Sequence, residues 1–457
     1  MTCMNQEERD KAMTRSRVNR RGFLKRAAGA AVLGSVAPAF VRATALGGKS
    51  RVAASDRITV GMIGAGRQAY LVSLKQFLGM NDVQVVAVCD VDRWRMDLMK
   101  QAVDASYGAA QRSGSYKGCD LHLDFHDVLA RSDIDAVLIS TPDHWHAPMS
   151  VAAMKAGKDV SLEKPITRTI AEGRELSELS RDLGRIFRVD SEFRSVPGVH
   201  QAATIVQNGL IGEVQSVSVG VPSSDVPCPP QPEMPVPEEL DYERWQGPAP
   251  RAPYTLNRVH PPKDIRGRPG WMRHLYYCDG MITNWGTHMN DGAMWATELE
   301  RTGPVEIEGH GSYPPPESFW NVMLKFEIKY RFANGIHWVY RADTPYFRIQ
   351  GSEGWVWADF REVKAHPASL LTWKPGPNDR TLRLKSDKQD FIDCVKSREE
   401  TLQPAEVGHR VTSLCHLGHI AVQTGRKLNW DPDAERFADD DEANSLIDRP
   451  IHNPVYG

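Results

Sequence analysis

The feature that most restricts the fold of this chain is a glycine-rich turn that directly follows a short apolar run. Residues 58–63 are β-prone, the segment Gly64-Ala65-Gly66-Arg67-Gln68-Ala69 comes next, and an amphipathic stretch occupies residues 70–78. A G-x-G-x-x-A pattern between a strand and a helix is typical of dinucleotide-binding domains. The first glycine permits the tight turn, and the second lets the backbone approach a pyrophosphate at the helix N-terminus. The alternative is that these glycines only form a tight strand–helix turn.

A carboxylate follows the second apolar run at the position that this interpretation requires. Residues 83–89 are apolar and end at Asp90, which lies at about the ~20-residue spacing expected after the glycine turn. A carboxylate there accepts hydrogen bonds from the adenosine ribose and repels a 2′-phosphate, so the sequence favours NAD over NADP. Arg93 and Arg95 could weaken that preference. The residues expected to hold the cofactor in this part of the chain are Gly64, Ala65, Gly66, Arg67, Gln68 and Asp90.

The order of the apolar runs predicts an α/β domain at the start of the folded chain. Residues 135–140 and 160–162 are further runs without polar alternation, and helical stretches at 93–106 and 149–156 separate the runs. Continuous apolar strands that alternate with helices indicate a parallel sheet covered on both faces. We therefore predict a Rossmann domain over residues 56–188.

The pattern changes after about residue 190. Residues 322–330 alternate between apolar and polar, and Asn334-Gly335 is a hairpin signal. These features predict an α+β domain over residues 189–430 with a large, mostly antiparallel open sheet. Its segment 222–269 holds 13 of the 30 prolines, which indicates a long ordered arm. Residues 431–457 begin with an acidic run, for which we expect a solvated tail.

The N-terminus has the pattern of an export signal. Eight basic side chains fall between residues 9 and 26, residues 27–41 carry no charge, and Ala43-Thr44-Ala45 follows. Arg20-Arg21 lies in N-R-R-G-F-L-K, which looks like a twin-arginine motif. We predict a signal peptide over residues 1–45, recognition by the twin-arginine export machinery, and a periplasmic or other extracytoplasmic location. The alternative is an amphipathic helix that stays on a cytoplasmic protein.

Charge and composition exclude several other classes. The chain has 56 basic and 58 acidic residues, so it lacks the basic excess typical of nucleic-acid binding. Its cysteines form no C-x-x-C and no regular spacing, which argues against a zinc ribbon or a disulfide framework. The histidine pairs 144/146 and 416/419 are alternatives for a metal site. Because no acidic or cysteine partner lies at ligand spacing, we predict that no metal is bound and that His146 lines the cofactor.

Several short motifs together resemble one oxidoreductase family. The segment Glu163-Lys164-Pro165, at the end of a predicted strand, is similar to a motif of the glucose–fructose oxidoreductase/inositol dehydrogenase (Gfo/Idh/MocA) family. Four other segments also resemble this family, namely residues 89–92, 141–146, 208–212 and 284–288. The arm segment 240–250 resembles the exported bacterial branch of the family. The likeness covers nearly all of residues 56–450. It implies a Rossmann domain followed by an open-sheet domain that often forms homo-oligomer contacts.

The resemblance also implies roles for individual residues. In the family, the lysine of the E-K-P motif contacts the substrate and the nicotinamide ribose, and a histidine beyond the arm takes the hydroxyl proton. At the matching positions this chain has Lys164 and His288. Further cofactor contacts are expected at Thr141, Asp143, His146, Glu163 and Lys164.

One position departs from the family pattern. The family commonly has Asp four residues before the histidine, whereas this chain has Asn284. Asn can orient the imidazole by a hydrogen bond, but it cannot stabilise an imidazolium by charge. Asp291, three residues after His288, would share its helical face. We therefore expect Asn284 or Asp291 to tune His288.

The sequence thus predicts an NAD(P)-dependent oxidoreductase that acts on a secondary hydroxyl of a sugar, sugar derivative or cyclitol. Free nicotinamide cofactor is not expected outside the cytoplasm, so we expect a cofactor that is bound before export and does not dissociate. Two alternatives stay open. One is glycoside cleavage through transient oxidation and elimination, and the other is a ligand-binding homologue without catalysis.

Overall fold

The apolar runs of the first half form one sheet of six strands. The computed structural model describes residues 56–112, 116–224 and 227–449, so the predicted signal peptide at residues 1–45 lies outside the described residues. The strands are β1 Ile58–Ile63, β2 Val83–Cys89, β3 Asp120–His122, β4 Ala136–Ile139, β5 Asp159–Glu163 and β6 Phe187–Asp190. Their order is β3-β2-β1-β4-β5-β6, and all neighbours are parallel. This is the predicted Rossmann sheet, and the chain changes direction across the sheet between β1 and β4.

Helices cover this sheet as the sequence predicts. After β1 the chain forms a π-helical turn, Ala69–Ser73, that continues into the first α-helix. The helices are α1 Leu74–Leu78, α2 Arg93–Arg112, α3 Phe125–Leu129, α4 His146–Lys155 and α5 Ile170–Asp182. Fully buried side chains such as Val60, Leu138 and Phe77 form the core between the helices and the sheet.

The second half forms a nine-stranded sheet. Its strands are β7 Val214–Val221, β8 Glu306–Ser312, β9 Lys325–Arg331, β10 His337–Ala342, β11 Tyr346–Gly351, β12 Trp355–Ala358, β13 Val363–His366, β14 Leu428–Asp431 and β15 Arg436–Phe437. The order is β13-β12-β11-β7-β10-β9-β8-β14-β15. Only the pair β7–β10 is parallel among the described strands of this sheet, which confirms the mostly antiparallel prediction. The turn at Asn334-Gly335 joins β9 to β10 with Gly335 at φ +89°.

The helices of the second half pack on the second sheet, on the first sheet or within the arm. They are α6 Pro197–Gln207, α7 Tyr242–Gln246, α8 Met281–Asn284, α9 Gly286–Ala296, α10 Asp387–Ser397, α11 Ala405–Thr424 and α12 Asp441–Asn444. Trp338, Tyr340 and Phe347 are fully buried in the core beneath these helices. Helix α10 instead places Phe391 and Ile392 in the core of the Rossmann sheet. The chain therefore returns to the first domain after most of the second sheet is complete.

The predicted arm, residues 222–269, is ordered where the structure describes it. Tyr242, Trp245 and Tyr254 form a small core of their own with Tyr277. Two backbone hydrogen bonds join the arm to the segment after β2, from Asp241 N to Val91 O at 2.9 Å and from Arg93 N to Glu239 O at 2.9 Å. The arm is thus attached to the cofactor-binding half of the chain.

The expectation of a solvated tail is wrong for the part of the tail that is described. Phe437 is fully buried within β15, and α12 follows it. Glu435 accepts hydrogen bonds from Arg174 Nη2 at 2.8 Å and from His409 Nε2 at 2.6 Å. Glu435, Asp440 and Glu442 thus have basic partners outside the tail, which the local charge pattern does not reveal.

Two further observations bear on the predicted class of protein. Cys89, Cys119, Cys228, Cys278, Cys394 and Cys415 are buried free thiols. Within residues 56–449, as far as they are described, no helix has the length and apolarity needed to cross a bilayer.

Candidate active site

The carboxyl ends of the Rossmann strands open into a cavity of about 740 Å³. Eleven of the predicted site residues line it, namely Gly64, Gly66, Arg67, Gln68, Asp90, Thr141, Asp143, Glu163, Lys164, Asn284 and His288. The first nine come from the Rossmann domain, and the last two come from α8 and α9 of the second domain. Parallel α/β sheets place ligands at this edge because loops and helix N-termini converge there.

The two positions of the turn require glycine for different structural reasons. Gly64 has φ +95°, and a Cβ on it would lie 2.4 Å from the Ser140 carbonyl oxygen at the end of β4. A Cβ on Gly66 would meet no atom of the described protein within 4 Å, although this residue lines the cavity. Gly64 is therefore required by the packing of the turn, whereas Gly66 leaves room for a ligand.

Backbone amides hold Asp90 at the rim of the cavity. Its carboxylate accepts hydrogen bonds from Ala65 N at 2.6 Å and from Asp92 N at 2.8 Å. Burial raises the pKa of Asp90 above its ordinary value, against the effect of the Ala65 amide. Ala65 does not line the cavity and acts here by positioning Asp90.

Buried polar atoms face the same space without a partner. Thr141 Oγ1 and Asp143 Oδ2 have no hydrogen-bond partner among the described residues. Burial raises the pKa of Asp143 to about 7, even though the charge of Lys164 opposes this effect. Burial likewise raises the pKa of Glu163 to about 8. A buried polar atom without a partner is costly, so these atoms fit the polar groups of a ligand.

The structure fixes the tautomer of His288. Its Nδ1 hydrogen-bonds the backbone carbonyl of Ser191, just after β6. A carbonyl oxygen can only accept, so Nδ1 carries the proton and Nε2 is left as an acceptor. Burial, and then the charge of Lys164, lowers the pKa of His288 to about 3. At neutral pH the ring is an uncharged base.

Neither expected partner of His288 hydrogen-bonds its ring among the described contacts. Asp291 is fully buried and binds Ser191 Oγ at 2.8 Å and Arg194 Nη2 at 2.7 Å. Asn284 lines the cavity, but no hydrogen bond joins it to His288 among the described contacts. The backbone of Ser191 takes the predicted role instead. A backbone carbonyl carries no residue-type signal, so the sequence could not reveal it.

His146 was predicted to line the cofactor site, but it does not line the cavity and acts instead as a positioning residue. Its Nδ1 lies 2.7 Å from the Pro165 carbonyl and its Nε2 lies 3.1 Å from the Thr141 carbonyl. Burial lowers the pKa of His146 to about 4, so the neutral ring donates to only one of them. The ring thereby connects the turns after β4 and β5. No cluster of three metal-ligating side chains occurs in the described parts of the chain.

The sequence also missed Glu192. This residue has φ +60° and lines the cavity beside Lys164 and His288. Gln68 Nε2 donates to its carboxylate at 3.1 Å. A non-glycine residue at positive φ is uncommon and often marks a functional site. Trp271, Trp285 and Phe360 complete the wall on this side, where aromatic faces could stack on a ring.

Comparison with protein families decides the class. Residues 58–191 match the family described as "Oxidoreductase family, NAD-binding Rossmann fold", and residues 228–456 match "Oxidoreductase family, C-terminal alpha/beta domain". The chain belongs to the Gfo/Idh/MocA oxidoreductase family. Membership accounts for both sheets and for an NAD(P) site at the edge of the first one. This Gfo/Idh/MocA protein thus carries the fold that its motifs predict.

Curated relatives resemble a limited part of the chain. A "Glycosyl hydrolase family 109 protein" of Shewanella baltica (strain OS155) is 36% identical over 168 residues. The family 109 protein of Shewanella pealeana is 34% identical over 148 residues. The first match covers 34% of this chain and 35% of the relative, so it spans about a third of either protein.

Solved structures share the fold over most of the chain. The aldose–aldose oxidoreductase from Caulobacter crescentus has a TM-score of 0.59 at 17% identity, with 82% of this chain and 99% of that one covered. The WlbA dehydrogenase from Bordetella pertussis, in complex with NADH and UDP-GlcNAcA, has a TM-score of 0.57 at 15% identity, with 82% and 99% covered. At these identities the likeness concerns the fold.

Proposed function

We propose that this protein is an NAD-dependent oxidoreductase acting on a secondary hydroxyl of a sugar, sugar derivative or cyclitol, with a tightly held cofactor. The observation that carries the proposal is that Lys164 and a neutral His288 line the same cavity as the glycine turn. A dinucleotide site, a cation and a base thus share one space.

The residues of this cavity fit a dinucleotide. The backbone at residues 64–68 opens on the cavity where a pyrophosphate would lie, and Asp90 can accept hydrogen bonds from ribose hydroxyls. Thr141 Oγ1 and Asp143 Oδ2 are buried polar atoms still lacking partners in the described protein. When bound, the nicotinamide supplies an acceptor or donor of hydride.

His288 takes the hydroxyl proton of the substrate. Its Nε2 is the free acceptor, because Nδ1 is committed to the Ser191 carbonyl. General base catalysis of this kind contributes about 10²–10⁴-fold to the rate. Lys164 brings an ammonium to the same cavity, where it stabilises negative charge that develops on the substrate oxygen. That positive charge also discourages protonation of His288 before the reaction.

The preference for NAD over NADP follows from the charges near Asp90. Its carboxylate would repel a 2′-phosphate. Arg95 was a candidate to offset this repulsion, but its Nη2 donates to the carbonyls of Pro261 and Asp264, both at 3.0 Å. The guanidinium is thus engaged by the arm.

The test measures the nucleotide and its reduction in the same sample. The protein is purified, dialysed extensively and denatured, and the released nucleotide is quantified. A second portion receives a panel of aldoses, amino sugars and cyclitols while the absorbance band of reduced nicotinamide is followed. We expect the protein to release near-stoichiometric NAD. We also expect an absorbance change with at least one uncharged sugar or cyclitol of the panel. A protein that holds no nucleotide and binds no added NAD would overturn the proposal.

Glycoside cleavage is the second candidate function. It is supported by the likeness to the family 109 glycosyl hydrolases and by a second titratable group in the cavity. Elimination requires a base for a ring C–H proton as well as one for the hydroxyl proton. Asp143, with its pKa raised to about 7 by burial, is suited to that second task.

Isotope exchange separates the two candidates. Incubation with p-nitrophenyl glycosides in deuterium oxide would place deuterium on the ring carbon beside the oxidised one if cleavage operates. A simple oxidoreductase releases no nitrophenol and exchanges no ring hydrogen. Ligand binding with neither exchange nor any absorbance change would instead identify a binding homologue without catalysis.

We also propose export and self-association. Arg20-Arg21 and the A-x-A site support twin-arginine export of the folded, cofactor-loaded protein. Expression with Arg20→Lys and Arg21→Lys together should retain the protein in the cytoplasm. The nine-stranded sheet supports a homo-oligomer, because family members often associate through this sheet. Sedimentation of the purified protein measures that state.

A further inference from the structure

The arm makes side-chain contacts with the residues that directly follow Asp90. His260 Nε2 donates to Asp92 Oδ2 at 2.8 Å. Asp92 also pairs with Arg95 Nε at 3.4 Å, and both side chains are at least 97% buried. Burial alone would raise the pKa of Asp92, but these contacts hold it below its ordinary value. The carboxylate is therefore ionised and joins the arm to the start of α2.

Arg95 makes a second connection to the same part of the arm. Its Nη2 donates to the carbonyls of Pro261 and Asp264, both at 3.0 Å. Charge-assisted hydrogen bonds of this kind are stronger than neutral ones. Together with the backbone bonds at Glu239 and Asp241, they attach two separate arm segments to the chain after β2.

These anchored segments form a wall of the cavity. His260, Gly267 and Arg268 of the arm line it together with Asp90 and Arg95. The proposed function places the adenosine ribose at Asp90, so the arm lies on the adenosine side of the cofactor. A ligand bound there lies against this wall, which the arm's attachment holds in place.

We infer that Asp92, Arg95 and His260 are positioning residues that fasten the arm over the adenosine half of the cofactor and so slow its release. This inference rests on the proposed function. It would account for the proposed retention of NAD with residues of one chain. It also assigns Arg95 to the arm, which engages its Nη2 with carbonyls of the arm and so disfavours binding of a 2′-phosphate.

The experiment measures the rate of NAD release from the holoprotein. Purified protein with bound NAD is mixed with excess NADH, and energy transfer from tryptophan to the incoming nucleotide reports the exchange. The variants are His260→Ala, His260→Gln and Arg95→Met. The matched control is Arg112→Ala, which changes an exposed arginine at the far end of the same helix. Hydrogen exchange of the arm is followed in parallel.

We expect His260→Ala and Arg95→Met to release NAD roughly tenfold faster or more, the effect of losing a charge-assisted hydrogen bond. His260→Gln keeps a donor for Asp92 and should restore slow release. The control should release NAD at the parental rate. In His260→Ala, faster hydrogen exchange should be confined to the arm, with an unchanged unfolding midpoint, which a general loss of stability would not produce.

Two results would overturn the inference. One is parental release rates in both His260→Ala and Arg95→Met. The other is equally fast release from His260→Ala and His260→Gln, since the hydrogen bond to Asp92 would then be irrelevant. If Arg95→Met fails to fold, the pair of His260 variants decides the matter. If the parental protein binds no NAD, the proposed function is overturned as well. If the parental protein binds NAD but the variants release it at the parental rate, only the role of the arm is overturned.

Discussion

At the scale of single residues, the environment of His288 decides what the cavity can do. The ring is uncharged at neutral pH because it is buried near Lys164, and its tautomer is set by a backbone carbonyl. Asp291 contributes indirectly, since it holds Ser191 Oγ while the carbonyl of the same residue holds the ring. The departure from the family pattern at Asn284 therefore leaves the neutral imidazole of His288 in place.

Replacing His288 should lower turnover without emptying the site. We expect His288→Gln to reduce kcat about 10²–10⁴-fold, the usual contribution of a general base. The bound nucleotide should stay stoichiometric, since the glycine turn and Asp90 are unchanged. Asn284→Ala is the matched comparison, because this residue lines the same cavity without bonding the ring. Equal losses in the two variants would contradict the assignment.

Asp143 gives a pH-dependent prediction of stability in the nucleotide-free protein. Burial raises its pKa from 3.8 to about 7, so the folded state keeps a proton that the unfolded chain loses. This group therefore lowers the free energy of unfolding by about 1.4 kcal/mol per pH unit between pH 4 and 7. Asp143→Asn removes that slope.

Denaturant unfolding of both proteins from pH 4 to 8 checks this prediction. The advantage of Asp143→Asn over the parent should grow as the pH rises to 7 and then level off. Other titrating groups cancel because the two chains share them. A difference that does not vary with pH would mean that the carboxyl is not held protonated.

At the scale of elements, the glycine turn has two separable functions. Gly64 is needed for packing, because a Cβ would lie 2.4 Å from the Ser140 carbonyl oxygen and the φ is +95°. Gly66 has open space instead. We predict that Gly64→Ala lowers both the unfolding midpoint and NAD affinity. Gly66→Ala should leave the midpoint unchanged and weaken NAD binding alone.

Calorimetric titration with NAD and thermal unfolding of the two glycine variants supply the comparison. The prediction concerns a difference between neighbouring positions with the same substitution, so each variant is the control for the other. If Gly66→Ala binds NAD as tightly as the parent, the pyrophosphate does not approach this backbone.

Local sequence patterns were sufficient to predict the helices, strands and turns that are determined by their own residues. The apolar runs at residues 58–63 and 83–89 form β1 and β2 as expected, and Asn334-Gly335 forms the expected hairpin. The acidic run after residue 431 was misjudged because its partners, Arg174 and His409, are distant in sequence. Pairing of that kind depends on tertiary packing and leaves no local signal.

The candidate site likewise contains residues that the sequence could predict and residues that it could not. Residues in motifs at strand ends, such as Asp90 and Lys164, could be predicted because a parallel sheet brings strand ends together. The second domain's His288 was found only through its motif. Ser191 and Glu192 were missed, since one acts through its backbone and the other through an unusual φ that its residue type does not favour.

At the scale of the whole molecule, the two sheets are joined by segments late in the chain. Helix α10 packs its apolar side chains into the first core, and the tail reaches α5 through Glu435 and Arg174. Burial alone would raise the pKa of Glu435, but hydrogen bonds from Arg174 and His409 lower it to about 2. The ionised carboxylate thus stabilises the fold above the ordinary carboxyl pKa.

Glu435→Gln should lower the free energy of unfolding by roughly 1–3 kcal/mol at pH 7, the cost of disrupting buried hydrogen bonds to a charged group. The stabilisation is present above about pH 4.5 and is lost as the pH falls towards 2. Denaturant unfolding at pH 7, 5 and 3 measures the difference. The penalty should be equal at the two higher values and smaller at pH 3, and a penalty that grows in acid would contradict this role.

The central claim is that a nicotinamide cofactor lies across the edge of the Rossmann sheet with its reactive ring between Lys164 and His288. A crystal structure of the protein with NAD tests it most directly. The account predicts the pyrophosphate at residues 64–68, a ribose on Asp90, and the nicotinamide facing both catalytic side chains. Density for NAD elsewhere, or a nicotinamide turned away from Lys164 and His288, would contradict it.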